Sequence, residues 1–468
     1  LERFRWIFKD SYVDIVEIDK RHLGWEETSE QSCIYKYNAI AQIEQSYGFN
    51  GIRQFVKMVG CPNEVGKAYA YKADTTAYRN VLDLMLEDSE ESIISFAKGF
   101  FRRYTFRNGI DNVIALLHSL DIKKYETVIV IPITVAPCAC QSMWDYIKTL
   151  PNHIQKEYWT NLNVGIIYEE NAGFIVKKMI EYKRFDRALD IIYHSSHKNI
   201  QFDTTIIEET IIGIIKASDS NLFSRMQYEL AKVVYLLDKR EDANLQTLYS
   251  IEVLLYRLLE HHGNINDTKF IKEIMSNPES LMEIIDKTFL SSDENERAAE
   301  IEQVKNDNSY ALLGWHIFYT LRQTPFVDSN NTIDEVALNN YIDQLQTLGN
   351  AKHKIKGVNT VIGELLGNYP ETEDYPSIPI CDIIERLNNK EVNNGFRTRL
   401  YNKRGVTVRP AYEGGTLEKN EADKYKKYAD KIRYTHPIVC SIFDDLSRDY
   451  YQIAKNEDIR VKIEKMEF

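Results

Sequence analysis

Arg397 and Arg399 open a basic run that continues through Lys403, Arg404 and Arg409, with no acidic residue anywhere from Asn394 to Arg409. Cations this close together are suited to recognising phosphate or carboxylate, because guanidinium forks match oxyanions and lysine adds a point charge. The chain carries 70 acidic and 58 basic residues, a net charge of −12, so the run is a local anomaly. Either it contacts a polyanion or an acidic partner, or its cations pair with Glu413, Glu418 and the acidic terminal helices and lock an irregular loop. Internal pairing is the favoured expectation. Gly414-Gly415 is expected to supply backbone angles that only glycine accepts, and then to start the next helix.

Other chemical patterns fail on spacing. Gly60 to Lys67 superficially resembles a phosphate-binding loop, but five residues separate Gly60 from Gly66 and Ala68 stands where a Mg²⁺-binding hydroxyl belongs. A helix-breaking turn at Gly60-Cys61-Pro62 accounts for it better. Glu260-His261-His262 lacks the second histidine four residues away that a zinc protease needs. Cys138 and Cys140 sit in an apolar run with no cation to activate a thiol. There is no Gly-x-Ser-x-Gly elbow. No catalytic residue, metal ligand or cofactor site is assigned, and the candidate residues remain Arg397, Arg399, Lys403, Arg404 and Arg409.

The elements that must position these residues read as helices. With 11 Pro and 20 Gly in 468 residues, the composition favours long helices over a turn-rich β-protein. Ile110, Val113, Ile114 and Leu117 repeat at i, i+3, i+4 and i+7. Val128-Ile129-Val130-Ile131 is β-branched, yet its helical neighbours favour a helix. Tyr182 to Leu189 has the character of the turn in a tetratricopeptide-like helix pair, with Ala188 small enough for close approach. The fold expected is all-α: an irregular helical-repeat solenoid (HEAT/TPR-like) with a C-terminal helical cap. Texture divides it into an array over 1–323, a linker with short helices over 324–380, and a C-terminal subdomain over 381–468 holding the basic loop. Asn394-Gly395 is expected to open an irregular stretch to Gly414-Gly415. Six cysteines without zinc spacing, no secretory signal and no apolar run long enough to span a bilayer point to a reduced, cytoplasmic protein without membrane contact. The chain opens at Leu1 and is expected to be a fragment or a processed product.

Several short motifs bear a family likeness. Phe4-Arg5-Trp6-Ile7-Phe8-Lys9-Asp10, Phe96 to Arg103, and Ile131-Pro132 with Trp144 and Tyr158-Trp159 are spread along the first half. Ile362-Gly363-Glu364-Leu365-Leu366, Asn402 to Val406, Glu413-Gly414-Gly415, and Tyr450, Ala454 and Asp458 follow. Together they resemble the C-terminal helical-repeat region of large bacterial antiphage-defence proteins of the STAND NTPase type. One departure is His436-Pro437 where that family has Trp-Pro. The resemblance implies a region without catalytic residues of its own, in which the repeats recognise a ligand, commonly an invader's protein, while other parts of the polypeptide switch nucleotide and carry the effector.

The function expected is therefore a non-catalytic ligand-sensing or scaffold module. Its partner would be a protein ligand, phage-encoded in the family's manner, or other domains of the same polypeptide, with homo-oligomerisation through the parent protein. Two rivals are a nucleic-acid-binding module using the 397–409 run, disfavoured by the overall charge, and a free-standing enzyme with no recognisable motif.

Overall fold

The computed structural model describes residues 1–10, 25–135, 140–162, 169–217, 220–405, 408, 410 and 413–464. They are all-helical, apart from one isolated antiparallel bridge between Val327 and Ile333. The chain forms two compact units, Leu1–Ala243 and Asn244–Phe468.

In the N-terminal unit a long helix, Trp25–Met58, bends at Gly48, where φ is 64°. The Gly60-Cys61-Pro62 break follows, and Pro62 opens the Pro62–Tyr69 helix, where its missing N–H costs nothing. That helix crosses Glu91–Asn108 with the backbones almost touching. A Cβ on Gly66 would overlap the Phe96 carbonyl oxygen, and one on Gly99 would overlap that of Asn63. Aromatic rings fill the surroundings: Tyr78 meets Phe101 edge-on at 4.8 Å and Tyr104 at 5.0 Å. The opening segment docks on the break, with Phe8 buried against Phe55 and its carbonyl accepting from Cys61 N at 2.8 Å. The stretch that looked like a phosphate loop is thus a packing joint. Of the Val128–Ile131 run expected as helix, Val130 and Ile131 open the Val130–Val135 helix, and Val128 and Ile129 form the turn before it.

The turn expected after Tyr182 is present. Lys183 takes φ 58°, and Arg184 N donates to Met179 O at 2.8 Å, closing Glu169–Glu181 against Phe185–Ser196. Ala188 is fully buried in this pair.

The C-terminal unit repeats the same closure. His353 takes φ 55°, Lys354 N donates to Gly349 O at 2.7 Å, and Glu335–Ala351 turns into Ile355–Gly367. Here the sequence expectation needs a correction. Asn394-Gly395 does not open an irregular stretch; the Lys390–Lys403 helix runs straight through it. Gly395 is there for space, since its Cβ would overlap the Thr360 carbonyl oxygen, just as one on Gly363 would overlap that of Val392. Arg397, Arg399 and Lys403 are therefore helical and Arg404 is the C-cap, so the basic loop is mostly a helix. The stretches expected as boundaries are tied into the unit: Thr324 Oγ1 donates to Leu365 O at 2.7 Å and the Tyr369 hydroxyl to Asn331 O at 2.7 Å. The cap comprises Thr416–Ile432 and Pro437–Glu464, packed side by side, with Tyr425 and Tyr450 stacked at 5.8 Å.

Candidate functional site

The basic run sits where the Lys390–Lys403 helix meets the ends of its neighbours. Arg399 is only 3% exposed. Its Nε donates to Asn368 Oδ1 and its Nη1 to Tyr319 O at 3.0 Å. Asn368 is the C-cap of Ile355–Gly367, and Tyr319 lies in the last turn of Ser309–Thr320. One guanidinium thus holds the C-cap side chain of one helix and a last-turn carbonyl of another, where carbonyls lack partners in their own helix and carry partial negative charge. Lys403 acts similarly, donating from Nζ to Tyr369 O at 2.5 Å. Arg404 pairs with the buried Glu418 at 2.7 Å and lies over the Tyr450 ring at 5.5 Å. Arg397 makes a half-exposed pair with Asp449 on the terminal helix. Arg409 and Cys138 lie outside the described residues.

The electrostatics follow from burial. Desolvation lowers Lys403 to about 8 and Arg399 to about 10. Glu364, beside them on Ile355–Gly367, is pushed up to about 7 by burial, with the Arg399 charge pulling the other way. These groups form a structural knot rather than an open ligand surface, and the same device recurs. Arg184 donates to Trp159 O at 3.0 Å and Leu162 O at 2.6 Å, and Lys354 donates to Phe289 O at 2.5 Å. Carboxylates cap the opposite ends. Glu385 accepts from Ile438 N at 2.7 Å and Val439 N at 3.1 Å, and Asp458 accepts from Gly415 N at 2.9 Å. Gly414 and Gly415 divide the task foreseen for them. Gly414 takes φ 68°, whereas Gly415 leaves room for the Ala454 carbonyl.

A line of Thr435, His436 and Asp382 has the residue types of a nucleophile relay, with His436 Nδ1 2.8 Å from Thr435 Oγ1 and Nε2 2.9 Å from Asp382 Oδ1. Thr435 Oγ1 also reaches Ile432 O at 3.3 Å, and the imidazole is buried in the turn that starts Pro437–Glu464. The line locks that turn. Among the described residues no three His, Cys, Asp or Glu side chains converge as metal ligands, and the five described cysteines are free thiols. No described helix is long and apolar enough to cross a membrane.

The surface that remains available lies on the Ser309–Thr320 helix. It buries Gly314, Ile317 and Phe318 on one side, yet exposes Leu312 by 51%, Trp315 by 46% and Tyr319 by 61% on another. These three stand at i, i+3 and i+7, the spacing of a helical stripe. In sequence, Tyr310 to Leu321 reads as one more apolar helical segment. Its signal was available: apolar residues on nearly every side of a helix whose neighbour, Glu294–Asn306, is largely charged. Comparison with protein-family models, curated proteins and solved structures returns no match.

Proposed function

We propose that this chain is a non-catalytic protein-recognition module, a ligand sensor or scaffold working in the cytoplasm as part of an antiphage-defence protein of the STAND type. The observation that carries the recognition role is the exposed Leu312–Trp315–Tyr319 stripe on a helix that buries Gly314, Ile317 and Phe318 in the C-terminal unit. Isolated apolar residues on a surface are ordinary, but an aligned stripe with two aromatics is the composition of a docking site. The defence role rests on the motif resemblance alone. A partner that binds this face better in one arrangement of the parent protein shifts its population toward that arrangement. The nucleic-acid reading loses its main support, because Arg399, Lys403 and Arg404 are occupied by carbonyls and a carboxylate within the unit.

The test is site-specific photocrosslinking from positions 312 and 319 of the full chain, in phage-infected and uninfected cells. The expected result is an infection-specific adduct at both positions and none from the equally exposed Val336. Leu312→Asp should remove the adduct at 319 without changing the melting temperature. The same adducts from Val336 as from 312 and 319, or none from either, would sink the reading.

A further inference from the structure

Glu294–Asn306 is a helix with no buried residue, and every residue from Ile301 to Tyr310 is exposed. Helices in folded proteins are held mainly by packing an apolar face, and short ones are marginal without it. This one is attached through polar contacts. Asp293 caps it, accepting from Asn295 N at 3.0 Å and Glu296 N at 3.1 Å. Glu300 pairs with the buried Lys354 at 2.5 Å and accepts from Ser291 N at 2.7 Å. Its apolar residues Ile301 and Val304 are only partly covered, at 37% and 38% exposed.

Between this helix, the end of Pro278–Thr288 and the start of Ser309–Thr320 lies a cleft of about 350 Å³. Leu290, Val304 and Ala311 give it apolar walls; of its carboxylates, Asp286 is paired with Lys352 at 2.8 Å and Glu300 with Lys354, while Asp307 adds a third. Its one lining cation, Lys287, is turned over the Tyr310 ring at 5.6 Å. From Asp293 to Asp307 the chain carries six carboxylates against Arg297 and Lys305. The apolar stripe of Leu312, Trp315 and Tyr319 follows on the next helix.

We propose that this acidic, unburied helix and the stripe beside it form one docking surface whose occupant is a basic amphipathic α-helix of a partner protein. The proposal rests on the protein-recognition reading above. A stripe at i, i+3 and i+7 matches the ridge of a second helix laid along it. The carboxylates of Glu294–Asn306 then face lysine or arginine on that helix's flank, which selects and orients it. Nucleic acids and anionic lipid surfaces carry the wrong sign for this surface.

The probe is an 18-residue synthetic peptide of leucine and lysine, with leucine at helical spacing, compared with its leucine–glutamate counterpart. Binding to the full chain is read by fluorescence anisotropy. The leucine–lysine peptide is expected to bind at least about tenfold tighter, with the preference shrinking in high salt as exposed charges are screened. Leu312→Asp with Tyr319→Asp should weaken it about tenfold or more, the loss of two apolar anchors. Glu302→Lys with Asp307→Lys should cancel the preference, while Glu157→Lys with Glu241→Lys, on the other unit, should leave it intact. Circular dichroism confirms that each variant is folded. Equal binding of the two peptides, or leucine–lysine binding that survives the aspartate pair or falls equally with the distant pair, would overturn the proposal. So would a concentration-dependent dimer in ultracentrifugation that Leu312→Asp abolishes, since the occupant would then be a second copy. Crosslinks at 312 and 319 without peptide preference leave recognition standing and remove the basic helix. Peptide preference without infection-specific crosslinks keeps the basic-helix surface and removes the phage-linked ligand.

Discussion

The crossing of Pro62–Tyr69 with Glu91–Asn108 and that of Ile355–Gly367 with Lys390–Lys403 bring backbones together by one device. Each helix sets a glycine against a carbonyl of the other: Gly66 and Gly99 in one unit, Gly363 and Gly395 in the other. Their surroundings differ. The N-terminal crossing is wrapped in Tyr69, Tyr78, Phe96, Phe100 and Tyr104. Its buried carboxylate, Glu64, is clamped by Lys36 at 2.6 Å and Lys67 at 2.7 Å. Burial pushes Glu64 up, but the two lysine hydrogen bonds outweigh that and hold its pKa below the ordinary value. The C-terminal crossing holds Glu364 close to Arg399, with no cation hydrogen-bonded to it among the described residues, and burial prevails. Close approach is set by missing Cβ atoms alone. Whether a buried carboxyl beside it stays ionised depends on direct hydrogen bonds.

The largest break in this comparison comes from filling the glycine sites. Gly66→Val and Gly395→Val each drive a branched side chain into a backbone carbonyl that cannot rotate away. Each should cost about 3 kcal/mol or more. Urea denaturation combined with hydrogen-exchange mass spectrometry should place the loss in the N-terminal unit for the first and the C-terminal unit for the second. Equal loss in both units for either variant would show that the crossings are not independent.

A sharper difference lies in pH. Glu364 has a raised folded-state pKa, so it is protonated in both states well below about pH 4.5. As pH climbs from about 4.5 to about 7, the unfolded chain ionises this residue while the folded chain does not, and stability is lost over that window. The ceiling on this effect is about 3 kcal/mol, reduced where solvent reaches the carboxyl. Glu364→Gln should flatten this fall. Glu64 has the opposite sign: its lowered pKa contributes stability above the ordinary carboxyl range that is lost as pH drops through its folded value. Glu64→Gln should therefore lower stability at neutral pH and flatten the fall on the acid side. Denaturation midpoints at pH 4, 5, 6 and 8 distinguish the two, and identical profiles for both variants would remove the contrast.

The smallest expected effect is at Arg397, the first cation of the basic run. Arg397 and Asp449 are both more than 40% exposed, so Arg397→Ala should shift stability by no more than about 0.5 kcal/mol. A loss several times larger in urea titrations would mean that the pair is more than a surface contact.

Much of this arrangement is written locally. Helical periodicity, the break before Pro62 and the turn after Tyr182 are all visible in neighbouring residues. The favoured reading of the basic run, internal pairing, also matches Arg404 with Glu418 and Arg397 with Asp449. Carbonyl capping by Arg399 and Lys403 was not visible, because the acceptors Tyr319 O and Tyr369 O are backbone atoms that carry no sequence signature. The exposed stripe at Leu312 was only partly legible: apolar residues on nearly every side mark the helix as unusual, but an apolar helix reads the same whether all or part of it is covered.

Helicity is legible in the residues alone, because period, N-caps and scarce proline act over a few positions and need no knowledge of the rest. Only the tertiary structure decided what Gly395 and Arg399 do. A missing Cβ serves equally to break a helix or to admit a neighbour's backbone, and the neighbour here is Thr360. A lone arginine suits a phosphate or a helix end equally well, and the end that claims Arg399 includes Tyr319, 80 residues away. Such choices are fixed by contacts between distant segments, which form only when the helices pack.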